Sequence, residues 1–284
     1  QIIYTSHSPT LASKIDIHNI NLLYEHGHKK YCLPFSQAKL EENDKQYLQK
    51  YLDVTKSQMF FARGILFVEG ISEAILLPTM AKALDRPFEK YAVELVNVDS
   101  VAFTPFVNLL SSDKVKTCFS KVSIITDDDR CTDKKGDHYI DKNCDYEDIN
   151  SEIVTHLENG TASNRCKELK ESCLKKGINI FIATKTLEYA LCCNENNVYH
   201  MVEALKICYK DVGLQLEGKI KLDEKAACVW LFIKTRDKCK GSVAQYISQI
   251  ISYQYEQKKK GNKIENEFII PDYLKDAIYS VTEK

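Results

Sequence analysis

The sequence predicts an α/β fold in which a parallel sheet is flanked by helices. Residues 65–68 form a short, wholly apolar run, which is typical of a strand buried on both faces. Further strand patterns lie at 93–98, 122–126 and 178–183, and helical patterns separate them. Strands that alternate with helices indicate βαβ units with right-handed crossovers. After residue 190 the strand signal fades, so we expect a mostly helical C-terminal part.

Local signals place the individual elements. Pro9 suits the first turn of a short helix, Ser72 is a good helix N-cap, Pro78 predicts a kink, and Gly177 precedes the fourth strand. The predicted order is a strand at 1–6, strands at 21–24 and 30–33, a helical connection at 35–58, helices at 72–84, 102–116 and 147–176 between the sheet strands, a polar loop at 130–146, and helices at 197–211, 223–235 and 242–258.

Composition limits the class of protein. The 284 residues suffice for one large domain or two smaller ones, and 44% hydrophobic with 28% charged residues is ordinary for a globular chain. No run of about 18 apolar residues occurs, so no membrane association is expected. The first residues carry neither Met nor a charged segment, which argues against a signal peptide. This start is more typical of a sequence that begins inside a domain.

Charge and cysteine content are less informative. A net charge of -1 gives no bulk electrostatic case for nucleic-acid binding, although acidic metal ligands would offset a local basic surface. Basic stretches at 134–135, 167–176 and 258–260 could line a groove for a nucleic-acid backbone or be solvated helix faces. Eleven cysteines without any C-x-x-C pair favour reduced, mostly buried thiols in a cytoplasmic protein over a zinc module.

Carboxylates follow three of the four predicted strands of the sheet. In open α/β sheets ligands bind at the carboxyl ends of the strands, so these side chains are expected to meet at one edge. Asp127 and Asp129, two residues apart in an extended segment, project to the same side, whereas Asp128 faces away. The candidate ligands are Glu69, Glu73, Asp127, Asp129 and Glu188.

Crowded carboxylates repel one another unless a cation neutralises them. Oxygen ligands of this kind suit Mg²⁺ or Mn²⁺, and two such ions about 4 Å apart can activate a water and hold a phosphate. Each acid taken alone is also explained as a solvated or helix-capping residue, and Glu73 suits the first turn of a helix in any case. The set as a whole favours a two-metal site.

The residues at 65–70 and 124–129 resemble the Toprim domain, whose signature is a strand-ending Glu-Gly and a later Asp-x-Asp. The stretch 67–78, with a second Glu four residues after the first, resembles the version found in the OLD (overcoming lysogenization defect) family. The stretches 98–103 and 186–188 are also similar to that family. Residues 2–9 resemble the last core strand and switch-histidine loop of an ABC-type ATPase, the domain that precedes Toprim in OLD proteins.

The resemblance implies a metal-dependent DNA endonuclease or nickase controlled by an upstream ATPase domain, plausible in phage defence. It implies that the five carboxylates hold two Mg²⁺ or Mn²⁺ ions, that Lys240 stabilises charge on the phosphate, and that His7 senses ATP in an intact ATPase. The bland alternative for Lys240 is a surface lysine near a helix start. Asp99 is a peripheral candidate. Expected partners are DNA, further copies of the full-length chain and a partner protein of a defence system.

The corresponding domain organisation has three parts. Residues 1–60 would be the end of the ATPase domain with a linker, 61–190 the Toprim catalytic domain, and 191–284 a helical region that completes the nuclease module. No usable Walker A loop is found, because the G-x-x-x-x-G-K match at 213–219 is followed by Ile220 rather than Ser or Thr and does not follow a strand. The chain is therefore expected to be the C-terminal part of a longer protein.

Other functions remain open at this stage. A Toprim enzyme that cleaves RNA or transfers phosphoryl groups would use the same carboxylates. A scaffold that binds DNA or a partner without cutting it is the non-enzymatic alternative. A topoisomerase would need a strand-attacking tyrosine on a partner domain, and a primase would be expected to carry a zinc module, so both are disfavoured.

Overall fold

The structure is a computed structural model that describes residues 2–26, 28–38, 40–52, 56–111, 118, 121–130, 149, 151–209, 222–235 and 239–283. In chain order the helices and strands are α1 (Pro9–Ala12), β1 (Asn21–His26), β2 (Lys29–Pro34), α2 (Glu42–Tyr51), β3 (Gly64–Val68), α3 (Ile71–Ala83), α4 (Phe88–Tyr91), β4 (Val93–Asn97), α5 (Thr104–Leu110), β5 (Lys121–Asp127), α6 (Ser151–Asn159), α7 (Asn164–Lys176), β6 (Asn179–Ala183), α8 (Leu187–Cys192), α9 (Glu195–Cys208), α10 (Leu222–Thr235), α11 (Lys240–Lys259) and α12 (Asp272–Thr282). Short 3₁₀ turns occur at Ile17–Asn19, Phe35–Gln37 and Lys56–Phe61.

Four parallel strands form the central sheet in the order β4-β3-β5-β6. The α/β class with a parallel sheet flanked by helices is therefore confirmed, and so are the four predicted sheet strands. Every residue of β3 is buried, as expected for a central strand covered on both faces. Because the strands are parallel, their carboxyl ends lie at one edge of the sheet.

The two faces of the sheet belong to separate hydrophobic cores. Along β3, Leu66 and Val68 contribute to one core, whereas Ile65 and Phe67 contribute to the other, since successive side chains of a strand point to opposite faces. The first core includes buried residues of α3 and of the helices α8 to α12. The second includes residues of the β1–β2 region, α2, α5 and α7.

Helix α12 was not predicted, yet it closes the first face of the sheet. Its Ser280 hydroxyl lies 2.8 Å from the hydroxyl of Ser123 in β5. At the start of β3, a Cβ added to Gly64 would lie only 2.8 Å from the carbonyl oxygen of Val281. The absence of a side chain at residue 64 thus allows the end of α12 to approach the strand backbone closely.

The β1–β2 hairpin, α1 beginning at Pro9 and the helices α9 to α11 agree with the sequence predictions. The strand predicted at 1–6 was wrong: residues 2–6 belong to no strand, and within the described ranges no neighbouring strand offers them hydrogen-bond partners. The single helix predicted at 147–176 was also wrong in part, because residues 160–163 separate α6 from α7.

Helix formation at 35–58 is confined to α2 and the flanking 3₁₀ turns. Helix α3 continues through Pro78. Residues 131–146 of the predicted polar loop, residues 112–116 of the predicted third helix and the 213–220 segment lie outside the described residues.

Residues near the predicted domain boundaries pack on the sheet. Leu33 and Phe35 share a core with Phe67 of β3, and Trp230 of α10 shares the other core with Leu66. The division into residues 1–60, 61–190 and 191–284 stays a prediction. In the described part of the chain, no helix has the length and apolarity to cross a bilayer.

Candidate metal centre

Three of the predicted ligands lie where neighbouring strands end. Glu69 directly follows β3, Asp127 is the last residue of β5, and Glu188 lies in the first turn of α8, shortly after β6. A cavity of about 570 Å³ opens at this edge of the sheet. Five of the six predicted catalytic residues line it: Glu69, Asp127, Asp129, Glu188 and Lys240.

Glu69 is held in place by the neighbouring strand. Its carboxylate accepts hydrogen bonds from the Thr126 hydroxyl and, at 3.3 Å, from the backbone N–H of Asp127. Burial raises the pKa of Glu69, although the Thr126 hydrogen bond opposes that shift. The carboxyl ends of β3 and β5 are thereby joined through a side chain that faces the cavity.

Asp127 and Glu73 are the most strongly desolvated acids of the site. Burial raises the pKa of Asp127 well above its ordinary value, and repulsion from Glu73, Glu69 and then Glu188 adds to the shift. Burial also raises the pKa of Glu73 to about 7, with repulsion from Glu188 as the next cause. Glu73 is only 6% exposed and is not among the residues that line the cavity.

Glu188 lies between Glu73 and the predicted lysine. Its carboxylate accepts a hydrogen bond of 3.3 Å from the Ser72 hydroxyl, and its Oε1 lies 3.9 Å from Nζ of Lys240 at the start of α11. The acids therefore associate differently from the pairs suggested by sequence spacing. Glu69 lies with Asp129, whereas Glu73 lies with Glu188, and Asp127 is repelled by both groups.

Asp128 faces away from the cavity, as predicted. Its carboxylate accepts hydrogen bonds from Nε and Nη2 of Arg130, at 2.9 and 2.7 Å, and from the backbone N–H groups of Arg130 and Lys185. These contacts join the loop after β5 to the loop after β6. Asp128 therefore holds the loops after β5 and β6 together.

Arg165, in the first turn of α7, was missed by the sequence analysis. Its Nη2 donates to Oδ2 of Asp129 at 2.7 Å and to the carbonyl oxygen of Asp127 at 3.1 Å, and it lies 3.3 Å from Oε1 of Glu69. The nearby lysine run had been noted, but no spacing rule connects residue 165 with the strand ends, because a segment of more than thirty residues separates it from Asp129.

Two lysines that line the cavity were also missed by the sequence analysis. Lys185 is buried, lies 4.9 Å from the centre of the Trp230 ring and donates to the carbonyl oxygen of Arg130 at 2.9 Å. Lys234 lies 5.5 Å from the same ring, and both lysines and Trp230 line the cavity. Lys185 directly precedes the stretch 186–188 that the sequence had pointed to for Glu188.

Two further candidates are not brought to the cavity. Asp99 adopts a positive φ of 56° and its backbone N–H donates to the side chain of Asn97 at 2.9 Å. His7 is exposed, and its ring lies 6.2 Å from that of Phe61. Its predicted role in sensing ATP stays a prediction.

The donor set fits hard divalent cations in its chemistry. Carboxylate oxygens are the ligands that Mg²⁺ and Mn²⁺ prefer, and burial, followed by repulsion from neighbouring acids, raises the pKa values of Glu73 and Asp127. Within the described ranges, however, no three Asp, Glu, His or Cys side chains already surround one point as metal ligands do. Side-chain movement, including that of Arg165, is needed before three carboxylates reach one ion.

Part of the site lies in a region that matches a known protein family. Residues 60–129, which contain Glu69, Glu73, Asp127 and Asp129, match the family model described as "Overcoming lysogenization defect protein-like, TOPRIM domain". Endonuclease GajA of Bacillus cereus (strain HuB5-5) is 30% identical to this chain in an alignment over 145 residues. The alignment covers 45% of this chain and 21% of GajA. The chain thus matches about a fifth of the length of this curated relative.

Two solved C-terminal regions of OLD proteins align with this chain. The C-terminal region of the Xanthomonas campestris pv. campestris OLD protein, phased with platinum, aligns with a TM-score of 0.46 and 18% identity over 79% of this chain and 94% of that chain. The C-terminal region of the Burkholderia pseudomallei OLD protein aligns with a TM-score of 0.44 and 20% identity over 78% and 97%.

The parallel sheet carries acidic residues after β3 and β5, inside the region 60–129 that matches the OLD-like Toprim model. The predicted resemblance to the OLD family is therefore confirmed.

Proposed function

We propose that the protein is a metal-dependent DNA endonuclease or nickase that hydrolyses phosphodiester bonds with two divalent ions. One observation carries the proposal: carboxylates from three strand ends and a lysine from the C-terminal helices line a single cavity. The OLD-like Toprim domain supports it, and so does the similarity to an endonuclease.

The acids divide between two ion positions. Glu69, Asp127 and Asp129 would hold one Mg²⁺ or Mn²⁺ ion, and Glu73, Asp127 and Glu188 would hold the other. When bound, such ions activate a water and neutralise the charge of a phosphate. Asp127, which lies near both groups of acids, would contribute its carboxylate to holding either ion.

Cationic side chains near the acids would bind the phosphate. Lys240 lies 3.9 Å from Glu188, close enough to reach a phosphate oxygen beside the ion that Glu188 holds. Its ammonium group would stabilise negative charge that builds up on that oxygen. Lys185 and Lys234 are placed by the Trp230 ring on the same wall and would bind neighbouring phosphates.

The wider function follows from the same family resemblance. An ATPase domain elsewhere in the full-length protein would control access to the cavity, with His7 sensing the nucleotide. The full-length protein would form homo-oligomers in the cytoplasm and act in phage defence, with or without a partner protein. Each of these features belongs to the proposal.

Plasmid cleavage with Mg²⁺ or Mn²⁺ tests the nuclease assignment. The full-length protein, with and without ATP, should nick or linearise the plasmid, and Glu69→Ala and Asp127→Ala should each reduce the rate by a factor of about 10³ or more, as loss of a group acting on the transition state does. Asp99→Asn is the matched control, because it also removes one acidic charge near the sheet edge but outside the cavity.

Equal cleavage by all four proteins would contradict the mechanism. Cleavage of an RNA substrate but not of the plasmid would favour the RNA nuclease. Binding of DNA without cleavage by the full-length protein in the presence of metal and ATP would favour the scaffold.

A further inference from the structure

The Nη2 atom of Arg165 lies among three oxygens at the carboxyl edge of the sheet. These are Oδ2 of Asp129 at 2.7 Å, the carbonyl oxygen of Asp127 at 3.1 Å and Oε1 of Glu69 at 3.3 Å. Two of the three are the carboxylates assigned above to one ion position. A divalent ion held by the same oxygens would need metal–oxygen distances of about 2.0–2.2 Å, so the ion and the guanidinium nitrogen exclude each other.

The backbone at Arg165 is held by hydrogen bonds, whereas its side chain is partly exposed. The Ser163 hydroxyl accepts a hydrogen bond from the backbone N–H of Cys166 and so caps α7, and the Ser163 N–H donates to the carbonyl oxygen of Asp128 at 2.9 Å. The start of α7 is therefore tied to the loop that carries Asp129. The Arg165 side chain is 28% exposed and that of Asp129 41%, so the guanidinium has a path into solvent.

We propose that Arg165 is an internal cation that competes with one of the two divalent ions for Glu69 and Asp129. This inference rests on the proposed two-metal function and adds a positioning residue to it. With Arg165 in place, the carboxylates are neutralised and kept together while no divalent ion is held there. When Arg165 moves out, its position becomes available to the ion.

The competition makes the two ion positions unequal. Among the residues that the structure describes, Lys240 lies near Glu188, and its Nζ is 3.9 Å from that carboxylate, a longer contact than the 2.7 Å pairing of Arg165 with Asp129. Arginine also presents a planar fork that contacts several oxygens at once, which a lysine ammonium does not. The position at Glu73 and Glu188 should therefore bind its ion more tightly than the position at Glu69 and Asp129.

Mn²⁺ binding to the whole chain, followed by electron paramagnetic resonance and calorimetry, tests the inference without any cleavage reaction. Wild type should bind one ion tightly and a second weakly. Arg165→Gln should tighten the weak site by about tenfold or more, because charge-assisted contacts are removed from the competing state. Lys167→Gln is the matched control, since it removes one positive charge from the exposed face of the same helix and should leave both sites unchanged.

The possible outcomes separate the two proposals. Equal binding by wild type and Arg165→Gln, or weaker binding by the variant, overturns the inference alone. No Mn²⁺ binding by either protein overturns both proposals. A tightened second site in a full-length protein that leaves DNA intact supports the inference and contradicts the proposed nuclease.

A second measurement serves if Arg165→Gln does not fold. Crystals of the wild type soaked in increasing Mn²⁺ should show anomalous signal between Glu69 and Asp129 that grows as the guanidinium of Arg165 leaves that position. Full occupancy by both the Mn²⁺ ion and the Arg165 guanidinium, each in contact with Glu69 and Asp129, would overturn the inference.

Discussion

Three adjacent aspartates have three different environments. Asp127 is half-buried among other acids, Asp128 is buried against Arg130, and Asp129 is partly exposed and paired with Arg165. The strand ends at Asp127 and the backbone turns at Asp129, whose φ is 45°, while Asp128 is held away from the cavity by its contacts with Arg130 and Lys185. The same side-chain chemistry is therefore costly at Asp127 and stabilising at Asp128.

Substitution of Asp128 by Asn should destabilise the protein without acting on the cavity directly. The Arg130 guanidinium would lose the carboxylate that it contacts at 2.7 and 2.9 Å, and breaking a buried ion pair costs about 3 kcal/mol. Urea denaturation measures this as a lower free energy of unfolding. Asp99→Asn serves as the control, and equal losses in the two variants would contradict the assigned role of Asp128.

Glu73→Gln should stabilise the metal-free protein in a pH-dependent way. Burial raises the pKa of Glu73 to about 7 from its ordinary value of 4.5, so the folded state binds the proton more tightly than the unfolded chain does. That contribution to stability is fully present below pH 4.5 and is lost as the pH rises through about 7.

Unfolding measurements in EDTA at pH 5 and at pH 8 test the direction of this pH dependence of stability. Wild type and Glu73→Gln should differ little at pH 5, and the variant should be the more stable protein at pH 8, where wild type carries a buried charge. A difference between the two proteins that stays the same at both pH values would show that Glu73 is not buried among acids as described.

At the scale of the elements, the close approach of α12 to β3 depends on Gly64. Gly64→Ala would place a Cβ 2.8 Å from the carbonyl oxygen of Val281 and 3.2 Å from a methyl group of Val93. Backbone must then shift, and we expect a loss of about 2 kcal/mol in the free energy of unfolding. Thermal or urea unfolding measures it.

Gly241→Ala is the matched control for that prediction. A Cβ at residue 241 would meet no atom within 4 Å, and an alanine in helix α11 should add about 0.5 kcal/mol of stability. Similar losses in both variants would contradict the explanation from close packing.

Most elements were predictable from sequence because their signals are local. The apolar run at 65–68 lies within the strand that it defines. The N-cap predicted at Ser72 was wrong, because α3 begins at Ile71 and the Ser72 hydroxyl donates to Glu188 instead. Helix α12 was not recognised, since its stabilising contacts come from β3 and β5, far away in sequence. The strand predicted at 1–6 was wrong because a local pattern alone does not make a strand. The pattern of these residues is strand-like, but residues 2–6 pair with no strand in the described part of the chain.

The candidate site shows the same division. Acids at strand ends were found from the rule that ligands collect at the carboxyl edge of a parallel sheet. Arg165 and Trp230 were not found, because each comes from a helix that packs at this edge only through the tertiary fold. The association of Glu73 with Glu188 was missed too, since it depends on how α3 and α8 pack together.

At the scale of the whole molecule, the cavity is built from both the matched domain and the helices after it. Residues 60–129 supply four of the five acids, whereas Glu188, Trp230 and Lys240 come from later elements. The C-terminal helices cover one face of the sheet and also deliver cations to its carboxyl edge. The proposed catalytic unit is therefore larger than the family match.

The five acids at the carboxyl edge of the sheet are proposed to hold two divalent ions in one cavity. Anomalous diffraction from crystals grown with Mn²⁺ tests it most directly. We predict two peaks in the cavity, one near Glu69, Asp127 and Asp129 and a stronger one near Glu73, Asp127 and Glu188, with both lost in Asp127→Asn. No peak in the cavity of the wild type, or unchanged peaks in the variant, would contradict the account.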